Sequence, residues 1–155
     1  MNLSELLPEN QISADLTGKN KFQLIEELLD LINGNGKILN RELALKDVLA
    51  REGYLSTGLE NGLAIPHAKT DGVDQLVMSF GLRRDGADFD SLDREPVYFV
   101  FLLVGPPAAS TNHLKTLARI SRLVQHTDFI SSIQQADTVD DILKILAEED
   151  GKHAG

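Results

Sequence analysis

Apolar residues recur along this chain at two spacings, and each spacing predicts a different element. Phe22, Ile25, Leu28, Leu29 and Ile32 fall at helical intervals, with Glu26, Glu27 and Asp30 on the opposite side, which predicts an amphipathic helix over residues 21–32. Asn33-Gly34-Asn35-Gly36 ends it, since glycine or asparagine can take the left-handed cap. Asn40 reads as the N-cap of a second helix over 41–52, with Leu43, Val48 and Leu49 inward and Gly53 at its close. After a cap at Ser110 or Thr111, a third helix is expected over 112–125, its stripe made of Leu114, Leu117, Ala118, Leu123 and Val124. A short helix over 128–134 follows, and Asp137 or Thr138 begins a last one over 139–148, with Ile142, Leu143, Ile145 and Leu146 apolar. A helical turn within 1–7 stops at Pro8, and residues 149–155 read as a frayed, flexible tail.

The second spacing is two. Leu76, Met78, Phe80 and Leu82 alternate with Val77, Ser79 and Gly81, which predicts a strand over 76–82. Residues 97–104 are apolar at every position, the signature of a strand buried on both faces near the centre of a sheet with helices on both sides. A weaker strand signal covers 11–16. Leu63-Ala64-Ile65 is a short apolar run between Gly62 and Pro66, and Pro66 removes a backbone donor, which suits a strand end or edge. Polar turns are expected at 70–72, 83–88 and 93–96, and an exposed loop at 54–62. Strands interspersed with helices give an α/β class, one layered domain over 1–148.

The chain has 155 residues, enough for a real core, and no cysteine, which removes disulfides and thiolate metal sites and points to a reducing, cytoplasmic setting. The first ten residues lack a secretory pattern, and the longest apolar run is too short to cross a bilayer. A net charge of −9 disfavours nucleic acid and anionic membrane surfaces and favours a partner protein with a basic patch.

Candidate chemistry narrows to histidine. Of His67, His113, His126 and His153, none lies three or four residues from another, so metal binding is not expected. No serine-nucleophile elbow, P-loop or dinucleotide fingerprint is present, and the carboxylates are scattered over helix faces. His67 follows Pro66 directly, so a stiff backbone presents it, either as a chemical residue or as a strand-end histidine bonded to a neighbour. His113 falls in the first turn of a helix, where the potential favours anions and disfavours imidazolium; it is either a neutral partner for a phosphate or a surface histidine. His126, at a helix end, reads as structural, and His153 lies in the tail.

The segment Leu55-Ser56-Thr57-Gly58, then Asn61-Gly62-Leu63-Ala64-Ile65-Pro66-His67, resembles the enzyme IIA domain of the bacterial phosphoenolpyruvate:sugar phosphotransferase system, fructose/mannitol type. Phe89-Asp90-Ser91-Leu92-Asp93, Pro96-Val97, Val100-Phe101-Leu102-Leu103 and His113-Leu114 followed by Leu117-Ala118 resemble the second half of that family. The resemblance spans about residues 3–147. It implies a mixed sheet flanked by helices, a phosphorylated histidine at His67, a second active-site histidine at His113 and an active-site arginine at Arg51. Ser56 and Thr57 belong to the signature and shape the loop. It also implies attack through Nε2, hence a backbone carbonyl near Nδ1 of His67, with Arg51 and His113 as donors to phosphoryl oxygens and no metal or other cofactor. The implied donor is the phosphocarrier protein HPr or a paralogue, and the implied acceptor is a cysteine of enzyme IIB or, in the nitrogen-regulatory branch, a regulated target protein. The single-domain length favours the regulatory branch; fructose or mannitol transport is the alternative, and a non-catalytic interaction module a third.

Overall fold

The computed structural model of the chain describes residues 3–54, 62–89, 91 and 94–152. The expected loop around Ser56 and Thr57, together with Asp90, Leu92, Asp93 and His153, therefore lies outside the described residues.

Among the described residues, five strands form one mixed sheet. Strand β5 (Val97–Gly105) is central, antiparallel to β4 (Val77–Ala87) on one side and parallel to β2 (Leu63–Ala64) and β3 (His67–Lys69) on the other; β1 (Ile12–Ser13) runs parallel to β4 at the far edge. Every residue of β5 except Tyr98 is buried, as an apolar run without alternation requires. Its two faces feed two cores. Phe99, Phe101 and Leu103, with Met78, Phe80 and Leu82 of β4, pack against α1 (Leu3–Leu6), α4 (Ser110–Val124), α5 (Thr127–Gln134) and α6 (Val139–Lys152). Val100, Leu102 and Val104, with Val77, pack against α2 (Lys21–Asn33) and α3 (Arg41–Tyr54). The result is a sheet between two helical layers.

Helix starts follow their caps. Asn20 Oδ1 accepts from the Gln23 N–H at 3.0 Å, and Asn40 Oδ1 from the Leu43 N–H at 3.1 Å. The start of α3 is clamped by Gly72, whose carbonyl accepts from the N–H groups of Leu39 and Asn40. A Cβ at Gly72 would stand 2.7 Å from the Asn40 carbonyl oxygen, so only glycine allows this approach.

Several expectations are corrected. In α2 the inward residues are Leu24, Ile25, Leu28, Leu29 and Ile32; Phe22 is 51% exposed, with the Lys21 ammonium 5.6 Å from its ring centre. Leu24 stands four residues before Leu28 on the buried side, and so fills the place assigned to Phe22. In α3 Val48 turns inward as expected and Leu49 packs partly buried, but Ala44 takes the inward place expected of Leu43, which is only half-buried. The turn expected at 83–88 is instead the continuation of β4. The register shifts between Leu82 and Ala87, Gly86 takes φ +78°, and pairing resumes at Ala87 with Val97, so turn-forming residues build a bulge inside a strand. The strand expected over 11–16 shrinks to two residues, because Gln11 ends a preceding 3-10 turn and spends its buried amide on the Met78 carbonyl at 2.7 Å. The frayed tail is also corrected as far as Lys152. Helix α6 continues through it, and buried Asp150 accepts from the Leu3 N–H at 2.9 Å and from Arg119 Nε at 2.6 Å.

Candidate functional site

Strands β2 and β3 are one edge strand in two pieces. Leu63 and Ala64 pair with Phe99 and Val100, and His67, Ala68 and Lys69 pair with Leu103, Val104 and Gly105, so the register is unchanged across Ile65 and Pro66. Pro66 has no N–H to give, yet its carbonyl accepts from the Leu103 N–H at 3.1 Å and keeps the strand on its neighbour. Gly62 turns the chain into this edge at φ +78°, where a Cβ would press on the Tyr98 ring at 3.0 Å. Alternation does the rest. Leu63 and Ile65 join the core on the α4 side, Ala64 and Ala68 join the other, and His67 and Lys69 therefore leave the strand on the face turned to α4.

His67 is half-buried, and its Nδ1 lies 2.8 Å from the Ile65 carbonyl oxygen. A carbonyl only accepts, so Nδ1 carries the proton and Nε2 keeps its lone pair. Burial pushes the imidazole pKa below 6.5; the bond to Ile65 works against this, and the charge of Arg51 adds to it. The ring is thus neutral near pH 7, in one tautomer, with Nε2 available.

His113 faces it from the first turns of α4, its ring centre 5.9 Å away and its plane at 60°. It is 3% exposed, and its buried Nδ1 has no hydrogen-bond partner among the described residues. A side-chain carbon on Gly105 would come within 3.5 Å of that nitrogen. Burial first, then the charges of His67 and Lys69, push its pKa down to about 4. Of the two local readings, the surface histidine is excluded. The buried stripe of α4 is His113, Thr116, Ile120, Leu123 and Val124, while Leu114 is 69% exposed. The helix begins two residues earlier than expected, after a 3-10 turn over Pro107–Ala109, and no side chain caps it.

A cleft of ≈ 690 Å³ brings together His67, His113 and Arg51. Lys69 and Asp47 also line it, with Ser110 and Thr111 at the start of α4 and the apolar Leu114 and Leu117. Neither Lys69 nor Asp47 was singled out from sequence. Both were findable: Lys69 is two residues beyond His67 on a strand, and Asp47 one helical turn before Arg51. His126 sits elsewhere, at the N-cap of α5. Among the described residues no three histidines or carboxylates gather as metal ligands. The cleft therefore offers a neutral imidazole nucleophile, a second neutral imidazole with an unused ring nitrogen, and two cations.

Residues 5–149 match the family described as "Phosphoenolpyruvate-dependent sugar phosphotransferase system, EIIA 2". The chain is 35% identical over 147 residues to the PTS system fructose-specific EIIA component of Haloferax volcanii, covering 95% of this chain and 96% of that protein. It is 33% identical over 150 residues to the PTS system fructose-specific EIIABC component of Bacillus subtilis, covering 97% of this chain but only 24% of that much longer protein. A nitrogen regulatory protein of Pseudomonas aeruginosa is 29% identical over 149 residues, at 96% coverage of both. Among solved structures, nitrogen regulatory protein IIA-Ntr from Neisseria meningitidis superposes with a TM-score of 0.81 at 30% identity, covering 93% of this chain and 98% of that one. The complex of enzyme IIAMTL with phosphorylated enzyme IIBMTL from Escherichia coli contains the same fold, with a TM-score of 0.77 at 19% identity, covering 92% and 99%.

Proposed function

Because the chain belongs to the EIIA 2 family of the phosphoenolpyruvate-dependent sugar phosphotransferase system, we propose that it accepts a phosphoryl group on Nε2 of His67 from an HPr-like phosphocarrier protein. The observation that carries this is the 2.8 Å contact between His67 Nδ1 and the Ile65 carbonyl, which leaves Nε2 as the nucleophilic nitrogen at the cleft. The Nε2 lone pair forms the new P–N bond. The bond from phosphorus to the donor breaks, and its electron pair stays with the donor. Such transfer has a loose transition state, so positioning and charge stabilisation dominate. Arg51 and Lys69 supply positive charge to the phosphoryl oxygens, and His113, a neutral imidazole with one ring N–H, supplies a hydrogen-bond donor. The proton kept on Nδ1 of His67 is stabilised by Ile65 as positive charge develops on the ring.

For the onward step, identity is 33% and 35% to the fructose-specific relatives and 29% and 31% to two nitrogen regulatory proteins, so identity does not separate the branches. The fructose-specific relatives support relay to a cysteine of an enzyme IIB partner. The regulatory reading, in which the phosphorylation state itself is the signal, is supported by the likeness to IIA-Ntr at a TM-score of 0.81. The test is a label transfer from phosphorylated HPr to the full chain, followed by a chase with IIB proteins. Label is expected on the wild-type protein and absent from His67→Ala; label retained by His67→Ala sinks the assignment. Discharge by a IIB supports relay, and a phosphoprotein that no IIB discharges supports regulation.

A further inference from the structure

Helix α4 lines a second groove on its other flank. Lys115, Arg119 and Arg122 stand at i, i+4 and i+7, so they share one stripe of the helix. With Leu3 and Leu6 of α1 they line a groove of ≈ 330 Å³ that contains none of the residues of the His67 cleft. Lys115 and Arg122 are exposed. Among the described residues, neither side chain forms an ion pair or hydrogen bond.

Arg119 differs from both. Its Nε donates at 2.6 Å to Asp150, whose side chain is 4% exposed and whose other oxygen accepts from the Leu3 N–H at 2.9 Å. A buried carboxylate thus fixes the guanidinium at the junction of α1, α4 and α6. Its remaining N–H groups make no hydrogen bond among the described residues. A guanidinium fixed on folding pays less conformational entropy on binding, and its planar fork matches a carboxylate.

The charge pattern identifies the occupant. On a chain of net charge −9, Lys115 and Arg122 carry uncompensated positive charge on one stripe of α4, with the Asp150-paired guanidinium of Arg119 between them. The stripe is about 10 Å long by helical rise, longer than one phosphate group needs and suited to carboxylates on successive turns of a peptide. Leu6 is partly buried and gives the groove an apolar spot for an apolar side chain between those carboxylates, while Leu3, 1% exposed, belongs to the core beneath. A long polyphosphate strand would extend past the stripe into the negative field of the rest of the molecule; a short acidic segment would not.

We propose that this groove docks an acidic amphipathic segment of a partner protein, with carboxylates at one-turn spacing and an apolar residue against Leu6. Docking there leaves the His67 cleft open, so the chain holds such a partner and exchanges phosphoryl groups at the same time. The docking itself does not depend on the phosphoryl reading; only the simultaneous exchange rests on it, and the peptide titration tests the docking alone. The test uses the isotopically labelled full chain titrated with a helical peptide carrying three glutamates at i, i+4 and i+7 and leucines beside them. Amide shifts are expected at Leu3, Leu6, Lys115, Arg119 and Arg122 and not at Asp47, Arg51 or Ser110, with affinity falling as salt rises. The all-glutamine peptide and the double variant Lys115→Glu/Arg122→Glu should each bind about tenfold or more weakly, while phosphoryl uptake by the variant stays at the wild-type rate. Shifts confined to the His67 cleft, equal affinity for the glutamine peptide, no shift at millimolar peptide, or preferential occupation of the groove by oligothymidylate would overturn the proposal.

Discussion

His67 and His113 face each other across one cleft with ring centres 5.9 Å apart, and they are held in opposite ways. His67 stands on an edge strand, and a backbone carbonyl two residues away fixes its Nδ1 proton. His113 stands on a helix, buried deeper, and its Nδ1 has no partner among the described residues. The first arrangement sets a tautomer permanently and presents one nitrogen. The second leaves a polar atom unsatisfied, which costs about 1–3 kcal/mol in a buried position. A group held at that cost gains when a bound anion accepts its ring N–H, which a neutral imidazole carries without further protonation. Under the proposed function, the comparison separates an acceptor nitrogen, which needs a fixed lone pair, from a donor, whose proton is not fixed in advance.

The largest expected effect breaks this symmetry outright. His67→Ala removes the acceptor nitrogen and should abolish labelling by phosphorylated HPr with the fold unchanged by circular dichroism. His113→Ala should still be labelled, at a rate lower by about 10²-fold, the loss typical of one charge-stabilising donor. Single-turnover labelling of the two variants separates the roles. Wild-type rates in His113→Ala would demote it to packing.

A second effect is on stability, and its sign follows from the depressed pKa. His113 is neutral in both folded and unfolded protein above 6.5. Between 6.5 and about 4 the unfolded chain takes up the proton and the folded one resists it. Stability is therefore full above pH 6.5 and falls as pH drops toward 4, by up to about 3 kcal/mol from this group. His67, whose pKa is also lowered, adds to the slope in the same direction. Urea unfolding of wild type and His113→Leu at pH 7, 6 and 5 checks this. The variant should lose most of the slope, and an unaltered slope would show that His113 is not the group being titrated.

The layout behind these roles was partly legible before any coordinates. Alternation placed Met78, Phe80 and Leu82 on one face of β4, and the unbroken apolar run of β5 placed it between helical layers. Pro66 points to a strand end or edge, because proline restricts the chain through covalent geometry alone, and the edge is what forms, with His67 opening β3 and not ending a strand. The stripe of α4 was misread because two of its five buried residues, His113 and Thr116, are polar, while Leu114 is apolar and exposed. Apolarity tracks burial only where burial serves the core alone: His113 is buried at the cleft, and Thr116 is buried with its hydroxyl satisfied by the Asn112 carbonyl at 2.8 Å. Tertiary partners hid the rest. Nothing near Asp150 announces that Leu3 and Arg119, far away in sequence, will hold it. Nor does Asp85-Gly86 announce that it forms a bulge rather than a turn, since both need the same positive φ at glycine.

The smallest effect sharpens the comparison most. Lys69 shares a strand face with His67 and lines the cleft, and its charge helps to depress the pKa of His113. If the cation serves only as one of several charges around the phosphoryl oxygens, Lys69→Gln should slow labelling several-fold, since a surface charge in solvent contributes about 1 kcal/mol or less. The same substitution should move His113 upward from about 4, because a repelling charge has gone. The two readouts pull apart the two histidines. His67 keeps its Nδ1 proton on Ile65, so its nitrogen chemical shifts should report an unchanged tautomer in the variant, whereas the His113 titration should shift. If both histidines move together, Lys69 acts by rearranging β3 and not through charge. If neither moves and labelling is unaltered, the cation at position 69 plays no part in the cleft.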